Sequence, residues 1–322
     1  MLFLPYRRNR LFTPAIILFL LSGALMAGCG QTSEVPVSRL DAIGTDIAAS
    51  SSMEKSSPIN DVTSSIQEQT GMSTVQSDAS KDKAFPTPGL HTLENFIATA
   101  LTPVGTTMYV WGGGWNEEDT GAGVEARSIG PSDRWREFAE DQTSDYDHQK
   151  TRYQIHDGLD CSGYVGWVIY NTMETEDGKE GYVMKSTDTA STFASYGWGD
   201  FLPSDSVTDW LPGDIASMKG HVWISLGTCQ DGSVLLVHSS PPGVRICGTS
   251  PAGQTSQAVE LAKQFMSSNY PEWYARYPEC SVSNDYLKKS GQMRWNTATF
   301  PDAKELRDLS PKALLERFLS EN

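Results

Sequence analysis

Three short apolar segments separated by tight turns constrain the fold more than any other feature of the sequence. The segments "PGDIASMK", "HVWISLGT" and "SVLLVHSS" have the composition of strands, and Lys219–Gly220 and "CQDGS" supply the turns between them. A fourth strand is predicted at "PGVRIC". Because consecutive strands joined by turns this short pair in opposite directions, the sequence predicts an antiparallel sheet.

Helical patterns lie on both sides of these strands. Apolar residues recur at helical spacing in the opening segment: Leu93, Phe96, Ile97, Ala100 and Leu101. A second helix is predicted to begin at or just after Cys161, in "CSGYVGWVIYNTM", and two more at "SQAVELAKQFM" and "SPKALLERFLSEN". Because helices and strands are grouped along the chain and do not alternate, the sequence predicts an α+β fold.

Residues 115–157 differ from their surroundings because they are polar and strongly charged. A short helix is predicted at "SDRWREFAED", with Ser132 or Asp133 as its cap. His148 and His156 lie in this segment near several aspartates. No regular ligand spacing connects them, so we expect solvated loop residues here and not a metal site.

The N-terminus has the pattern of an export signal. Arg7, Arg8 and Arg10 precede the uncharged segment "LFTPAIILFLLSGALMAG", and "LMAGC" resembles the lipobox of bacterial lipoproteins. We therefore predict that residues 1–28 are a lipoprotein signal peptide and that Cys29 is lipidated. Two acyl chains would anchor the protein to the cell membrane outside the cytoplasm. A transmembrane anchor and a signal peptide cut elsewhere are the alternatives.

The segment that follows the signal is too polar to fold by itself. Residues 29–88 are rich in Ser, Thr, Asp, Glu and Gln and bury too little apolar surface to offset the entropy of ordering them. We predict a disordered tether there and a folded domain over residues 89–322. The net charge of −15 argues against a nucleic-acid partner, because phosphate contacts need clustered Lys and Arg.

The chain has five cysteines: Cys29, Cys161, Cys229, Cys247 and Cys280. If the first is lipidated and the second must stay free to react, at most one disulfide can form among the other three, and an exported location permits it. Alternatively, all three are small buried apolar residues. The sequence leaves both interpretations open.

Cys161 has the surroundings of a reactive thiol, since it lies between Asp160 and Ser162 at the predicted start of a helix. A helix N-terminus and a nearby imidazole both lower the pKa of a thiol from about 8.5, so this position favours a thiolate. His221 opens one predicted strand and His238 ends the next, which places both at one end of an antiparallel pair. A nucleophile, a base and an orienting residue form the arrangement of nucleophilic catalysis.

These segments together resemble the NlpC/P60 family of cell-wall cysteine peptidases. The resemblance rests on "LDCSGYVGWV", "LPGDIASMKGHVWISLG", "VLLVHSS" and "YVWGGG", and it covers about residues 90–240. It implies a papain-like domain in which the helix that bears the nucleophile packs on a small antiparallel sheet, and it implies no metal or other cofactor. The long separation of Tyr109 from Cys161 departs from the family and marks residues 115–157 as an insertion beside the site.

Carried onto this sequence, the resemblance implies roles for three catalytic residues. Cys161 is the nucleophile, His221 is the base that takes its proton, and His238 orients His221. The main-chain N–H of Cys161 is the expected oxyanion donor.

The resemblance also implies three residues that position the substrate. Tyr109 would lie beside the nucleophile and polarise or position the substrate carbonyl. Asp160 and Ser162 would help to form the pocket for the free amino end of the peptide. Trp111 and Trp115 are expected to pack inside the domain.

The implied activity is that of a peptidoglycan endopeptidase. The expected bond is the amide between D-glutamate and a diamino acid in the stem peptide, hydrolysed through a cysteine acyl-enzyme. The alternatives are an N-acetylmuramoyl amidase, a thiol acyltransferase, or a non-catalytic lipoprotein that binds the cell wall.

Overall fold

The computed structural model describes residues 86–319. The predicted signal peptide at 1–28, the lipidation site Cys29 and nearly all of the predicted tether at 29–88 lie outside the described residues. Among residues 86–319, no helix is both long enough and apolar enough to cross a membrane.

The described residues form eight α-helices and seven strands, which confirms the α+β class. The helices are α1 (Leu93–Leu101), α2 (Asp133–Glu140), α3 (Cys161–Met173), α4 (Thr189–Ser195), α5 (Gln257–Asn269), α6 (Pro271–Arg276), α7 (Asp285–Lys289) and α8 (Pro311–Phe318). The strands are β1 (Gly199–Leu202), β2 (Ile215–Met218), β3 (His221–Thr228), β4 (Val234–Ser240), β5 (Gly243–Ser250), β6 (Ser281–Ser283) and β7 (Gly291–Trp295).

All seven strands belong to one sheet, in the order β1-β7-β2-β3-β4-β5-β6. The neighbours β2, β3, β4 and β5 are antiparallel, as their short turns predicted. The sheet is larger than the small antiparallel sheet that was predicted, and it differs at one edge, where β6 pairs with β5 in parallel. Two helices, α5 and α6, carry the chain back between these strands, and such a crossover is what a parallel neighbour requires.

Both faces of the sheet are covered, which explains the continuous apolar run in β3. Val222, Ile224 and Leu226 point into the large core that contains the buried residues of α1 and α3. Trp223, on the opposite face, packs with Trp210 in a second, smaller cluster. Side chains alternate between the faces of a strand, so a strand buried on both sides must be apolar throughout.

The start of α3 is fixed by a cap and by a close backbone crossing. The carboxylate of Asp160 accepts a hydrogen bond from the N–H of Gly163 at 2.7 Å, which satisfies one of the free donors of the first turn. A Cβ atom at Gly163 would lie only 1.9 Å from the carbonyl oxygen of Gly113. Glycine is therefore required where the "YVWGGG" segment crosses the helix.

The predicted insertion, residues 115–157, leaves the domain and returns to it at the same place. It contains the predicted helix α2. The main-chain N–H of Tyr153 donates to the carbonyl of Trp111 at 3.0 Å, and that of Asp160 donates to the carbonyl of Gly113 at 3.0 Å. The insertion is thus tied to the segment that precedes it, directly beside the start of α3.

Candidate active site

His221 and His238 form the centre of the candidate site. His221 begins β3, and His238 lies near the end of the neighbouring strand β4. Nε2 of His221 and Nδ1 of His238 are 2.9 Å apart, which is a hydrogen-bond distance. Both imidazoles are buried. The structure therefore brings together the two histidines that the sequence placed at one end of a strand pair.

The thiol of Cys161 lies against the start of β3. The main-chain N–H of Val222, the residue after His221, is near enough to the sulfur to act against the rise in its pKa. The hydroxyl of Ser239 donates to the carbonyl of Leu159 at 2.6 Å, which holds the segment before α3 against β4. The end of this helix is thus fixed to the two strands that carry the histidines, and the thiol lies one residue along β3 from His221.

The thiol is protonated at neutral pH. Burial raises the pKa of Cys161 to about 12, and the charge of Asp160 adds to the rise, while the N–H groups around the sulfur oppose it. This shift opposes the thiolate that the position at the helix start favours. Cys161 is only 7% exposed, so the loss of hydration disfavours the anion more than the helix start favours it.

The two histidines are neutral at neutral pH for the same reason. Burial lowers the pKa of His221 to about 3 and that of His238 well below its usual value, and the positive charge of Arg245 contributes to both shifts. Arg245 is the cross-strand partner of His238 and is buried, with Nη1 donating to the carbonyls of Ser240 at 2.5 Å and Gly243 at 3.1 Å. Arg245 was not among the predicted site residues, although a charge inside the apolar strand "PGVRIC" is a signal that could have identified it.

A tyrosine that was not predicted for the site packs on the histidine pair. The ring of Tyr286, from α7, lies 5.2 Å from the ring of His221 and 6.2 Å from that of His238. Burial raises the pKa of Tyr286 to about 12, so the phenol is neutral. In the sequence, Tyr286 lies shortly before β7 and far from both histidines. No local pattern therefore connects it with the site.

Asp160 and Ser162 flank the thiol, but their polar atoms are used within the protein. The hydroxyl of Ser162 donates to Asp160 at 2.8 Å and accepts a hydrogen bond from Nε1 of Trp115 at 3.0 Å. Burial raises the pKa of Asp160 to about 6, against the hydrogen bonds from Gly163 and Ser162 that lower it. These contacts fix the helix start and the beginning of the insertion.

Tyr109 lies on the segment that crosses the start of α3 and is covered by the insertion. Burial raises the pKa of its phenol above the usual value, and the charges of Cys161 and Asp160 contribute to this rise. The ring of His148 meets the ring of Tyr109 edge-on at 5.6 Å, and the hydroxyl of Tyr146 donates to the Tyr109 carbonyl at 2.7 Å. The insertion therefore forms one wall of the site.

The tryptophans at the start of the insertion differ from each other. Trp115 packs against the core, as expected. The expectation for Trp111 is wrong, because this side chain is 45% exposed. A cavity of about 320 Å³ lies between Trp115 and the end of the insertion. Its lining includes Gly112, Trp115, Asn116, Glu117, Tyr153 and His156.

The other candidate groups are accounted for within residues 86–319. His156 bonds to Glu125, and no set of three or more His, Cys, Asp or Glu side chains in this range could hold a metal ion. Cys229, Cys247 and Cys280 are free thiols there, the last two fully buried and the first half-buried. This arrangement fits the interpretation of these cysteines as small apolar residues.

Comparison with known proteins identifies no relative: no family model matches the chain, and neither curated proteins nor solved structures provide a match.

Proposed function

We propose that this chain is a cysteine peptidase with a papain-like domain that hydrolyses the stem peptides of peptidoglycan. The observation that carries the proposal is the hydrogen bond between His221 and His238 at the strand that the thiol of Cys161 contacts. The α+β arrangement is compatible with such a domain. The substrate class rests on the resemblance of the four sequence segments to the NlpC/P60 family.

In this proposal, proton transfer accompanies nucleophilic attack. Nε2 of His221 faces His238, so Nδ1 is the ring nitrogen left for the thiol. The proposed mechanism requires that His221 carries its hydrogen on Nε2 and donates it to Nδ1 of His238. Because burial keeps both imidazoles neutral, Nδ1 can take the proton of Cys161 as the sulfur attacks the carbonyl carbon.

The remaining steps use the same groups. As the first residue of α3, Cys161 has a main-chain N–H without a partner in its own helix, and this N–H stabilises the oxyanion. The C–N bond then breaks, and the imidazolium of His221 gives its proton to the leaving amine. Water attacks the thioester, His221 takes the proton of the water, and the products are a carboxylate and the free thiol.

Tyr109, Asp160 and Ser162 have supporting roles in the proposal. Tyr109 positions the substrate carbonyl beside the sulfur. The hydrogen bonds of Asp160 and Ser162 hold the helix start, and the binding of a peptide amino end at these two residues is a further proposal. The predicted lipid at Cys29 would keep the domain at the outer surface of the cell membrane, close to peptidoglycan.

A binding-only lipoprotein is the second candidate. The burial and protonation of the Cys161 thiol favour it, because a reactive cysteine needs access to its substrate. An N-acetylmuramoyl amidase and a thiol acyltransferase use the same thiol chemistry as a peptidase. Their products distinguish them from an endopeptidase.

The test is digestion of purified muropeptides by the full-length chain, with the products identified by mass spectrometry. We expect cleavage between D-glutamate and the diamino acid, and no product with Cys161→Ala or His221→Ala. Cys229→Ala, which removes a half-buried thiol elsewhere, is the matched control and should act like the native protein. Cleavage at the muramic acid would identify an amidase. Binding of muropeptides without cleavage by the native protein would favour the second candidate.

A further inference from the structure

Arg152 is held between two exposed aromatic rings at the edge of the candidate site. Its guanidinium carbon lies 4.8 Å from the ring centroid of Trp111 and 5.1 Å from that of Tyr153. Trp111 is 45% exposed and Tyr153 is 63% exposed. We call these three residues the cation shelf. The hydrogen bond from the N–H of Tyr153 to the carbonyl of Trp111 joins its two sides.

The guanidinium of Arg152 has no hydrogen bond or ion pair within residues 86–319. Two other cationic side chains of the insertion are paired, Arg134 with Asp157 and His156 with Glu125. A cation without a carboxylate is notable in a chain with a net charge of −15. The stacking on Trp111 and Tyr153 fixes the position of the group without using its N–H donors, which lie at the edge of the guanidinium plane.

The cation shelf belongs to the site and not to a distant surface. Trp111 follows Tyr109 by two residues in "YVWGGG". The ring of His148, four residues before Arg152, meets the ring of Tyr109 at 5.6 Å, and the hydroxyl of Tyr146 donates to the Tyr109 carbonyl at 2.7 Å. The segment that leads to Arg152 therefore packs on Tyr109, and the cation shelf lies at the edge of the candidate site.

We propose that Arg152 binds a free carboxylate of the substrate on the acyl side of the scissile bond. This inference rests on the proposed function. A glutamyl residue that supplies one carboxyl group to the scissile amide keeps its other carboxyl group free, and only a short aliphatic chain separates them. The planar fork of N–H donors on a guanidinium matches the two oxygens of a carboxylate. Arg152 is therefore a specificity residue that recognises an acidic acyl-side residue.

The test uses two synthetic peptides that differ in one group. Both peptides are L-alanyl-D-glutamyl-L-lysine. In the first, the glutamyl carboxyl group that is not part of the scissile amide is free, and in the other it is a primary amide. Affinity is measured calorimetrically with the full-length Cys161→Ala protein, so that it does not depend on hydrolysis. We expect the carboxylate peptide to bind about tenfold tighter or more, as for a hydrogen bond to a charged group.

Substitution of the arginine should remove this preference. Arg152→Gln in the Cys161→Ala protein should bind the two peptides equally, with unchanged affinity for the amide, and Arg152→Lys should restore part of the difference. If Arg152 has only a structural role, Arg152→Gln should reduce the affinity for both peptides equally. That result would overturn the proposal. Arg136→Gln, which removes an exposed charge on α2 of the same insertion, is the matched control and should keep the preference.

The outcomes separate this inference from the proposed function. If the native protein hydrolyses both peptides but Cys161→Ala binds them equally, the role of Arg152 is wrong and the peptidase proposal stands. If binding depends on the carboxylate and on Arg152 while the native protein hydrolyses neither peptide, the anion site stands and the peptidase proposal fails. Binding of neither peptide would overturn the role of Arg152.

Discussion

The buried histidine pair should make the folded protein sensitive to acid. Burial lowers the pKa of His221 to about 3 and that of His238 well below its usual value, whereas both titrate near about 6.5 in an unfolded chain. Below this pH the unfolded chain binds protons that the folded protein cannot bind. The free energy of unfolding is therefore highest above about pH 6.5, and it falls as the pH decreases toward the pKa of the histidines in the folded state.

The size of the effect follows from the shift. Each histidine contributes about 1.4 kcal/mol per pH unit, so the loss for each between about pH 6.5 and pH 4.5 is about 2.7 kcal/mol. This value requires only that the pKa in the folded state lies below about 4.5. His238→Gln removes one of the two groups, and its amide can still hydrogen-bond to His221. The free energy of unfolding of the variant should thus fall less than that of the native protein on acidification, because the variant lacks one of the two groups that must stay neutral in the folded state.

The assay is urea unfolding followed by tryptophan fluorescence at about pH 7.5 and about pH 4.5. For each protein, the free energy of unfolding at the lower pH is subtracted from that at the higher pH, and these differences are compared. Any loss of packing that is the same at both pH values then cancels. His91→Gln replaces an exposed histidine and should respond to acid like the native protein. If His238→Gln loses as much stability on acidification as the native protein, the histidine is not held neutral by burial and the reasoning fails.

Two further predictions concern the parts of the fold that support the site. Gly163→Ala should lower the free energy of unfolding by about 3 kcal/mol in urea titration, because its Cβ would meet the Gly113 carbonyl. Gly121→Ala, with open space around it, should be nearly neutral, and equal losses would contradict the close crossing. Arg294→Met should cost about 3 kcal/mol at neutral pH, because it leaves the fully buried Asp214 carboxylate without its cation. The loss should shrink in acid as Asp214 takes up a proton, and a loss that does not change with pH would refute this explanation.

Local patterns predicted the elements whose signals are contained in short stretches of sequence. The helix that begins at Cys161 and the strands β2, β3, β4 and β5 are all found where the pattern placed them. The strands β1, β6 and β7 were missed, because they are three to five residues long and their partners are distant in sequence. β7 pairs with β1 and β2, which precede it by many residues, so only the tertiary fold specifies it.

In the candidate site, too, local patterns predicted some features and missed others. Spacing was enough to bring His221 and His238 together, because the register of neighbouring strands is a local property. The protonation of Cys161 could not be predicted, because it depends on how deeply the helix start is buried by segments from elsewhere in the chain. The stacking of Arg152 on Trp111 was missed for the same reason, since it depends on the return of a long insertion to its starting point.

The position of β7 in the interior of the sheet has a consequence for how the chain reaches its native state. A growing chain that ends before residue 291 already has β1 and β2, but the strand that joins them does not yet exist. Their main-chain groups then have no partners on the facing edges. Sheet closure must therefore wait until residues 291–295 are present. A chain truncated before residue 291 should accordingly fail to fold, and should not give a merely shortened domain.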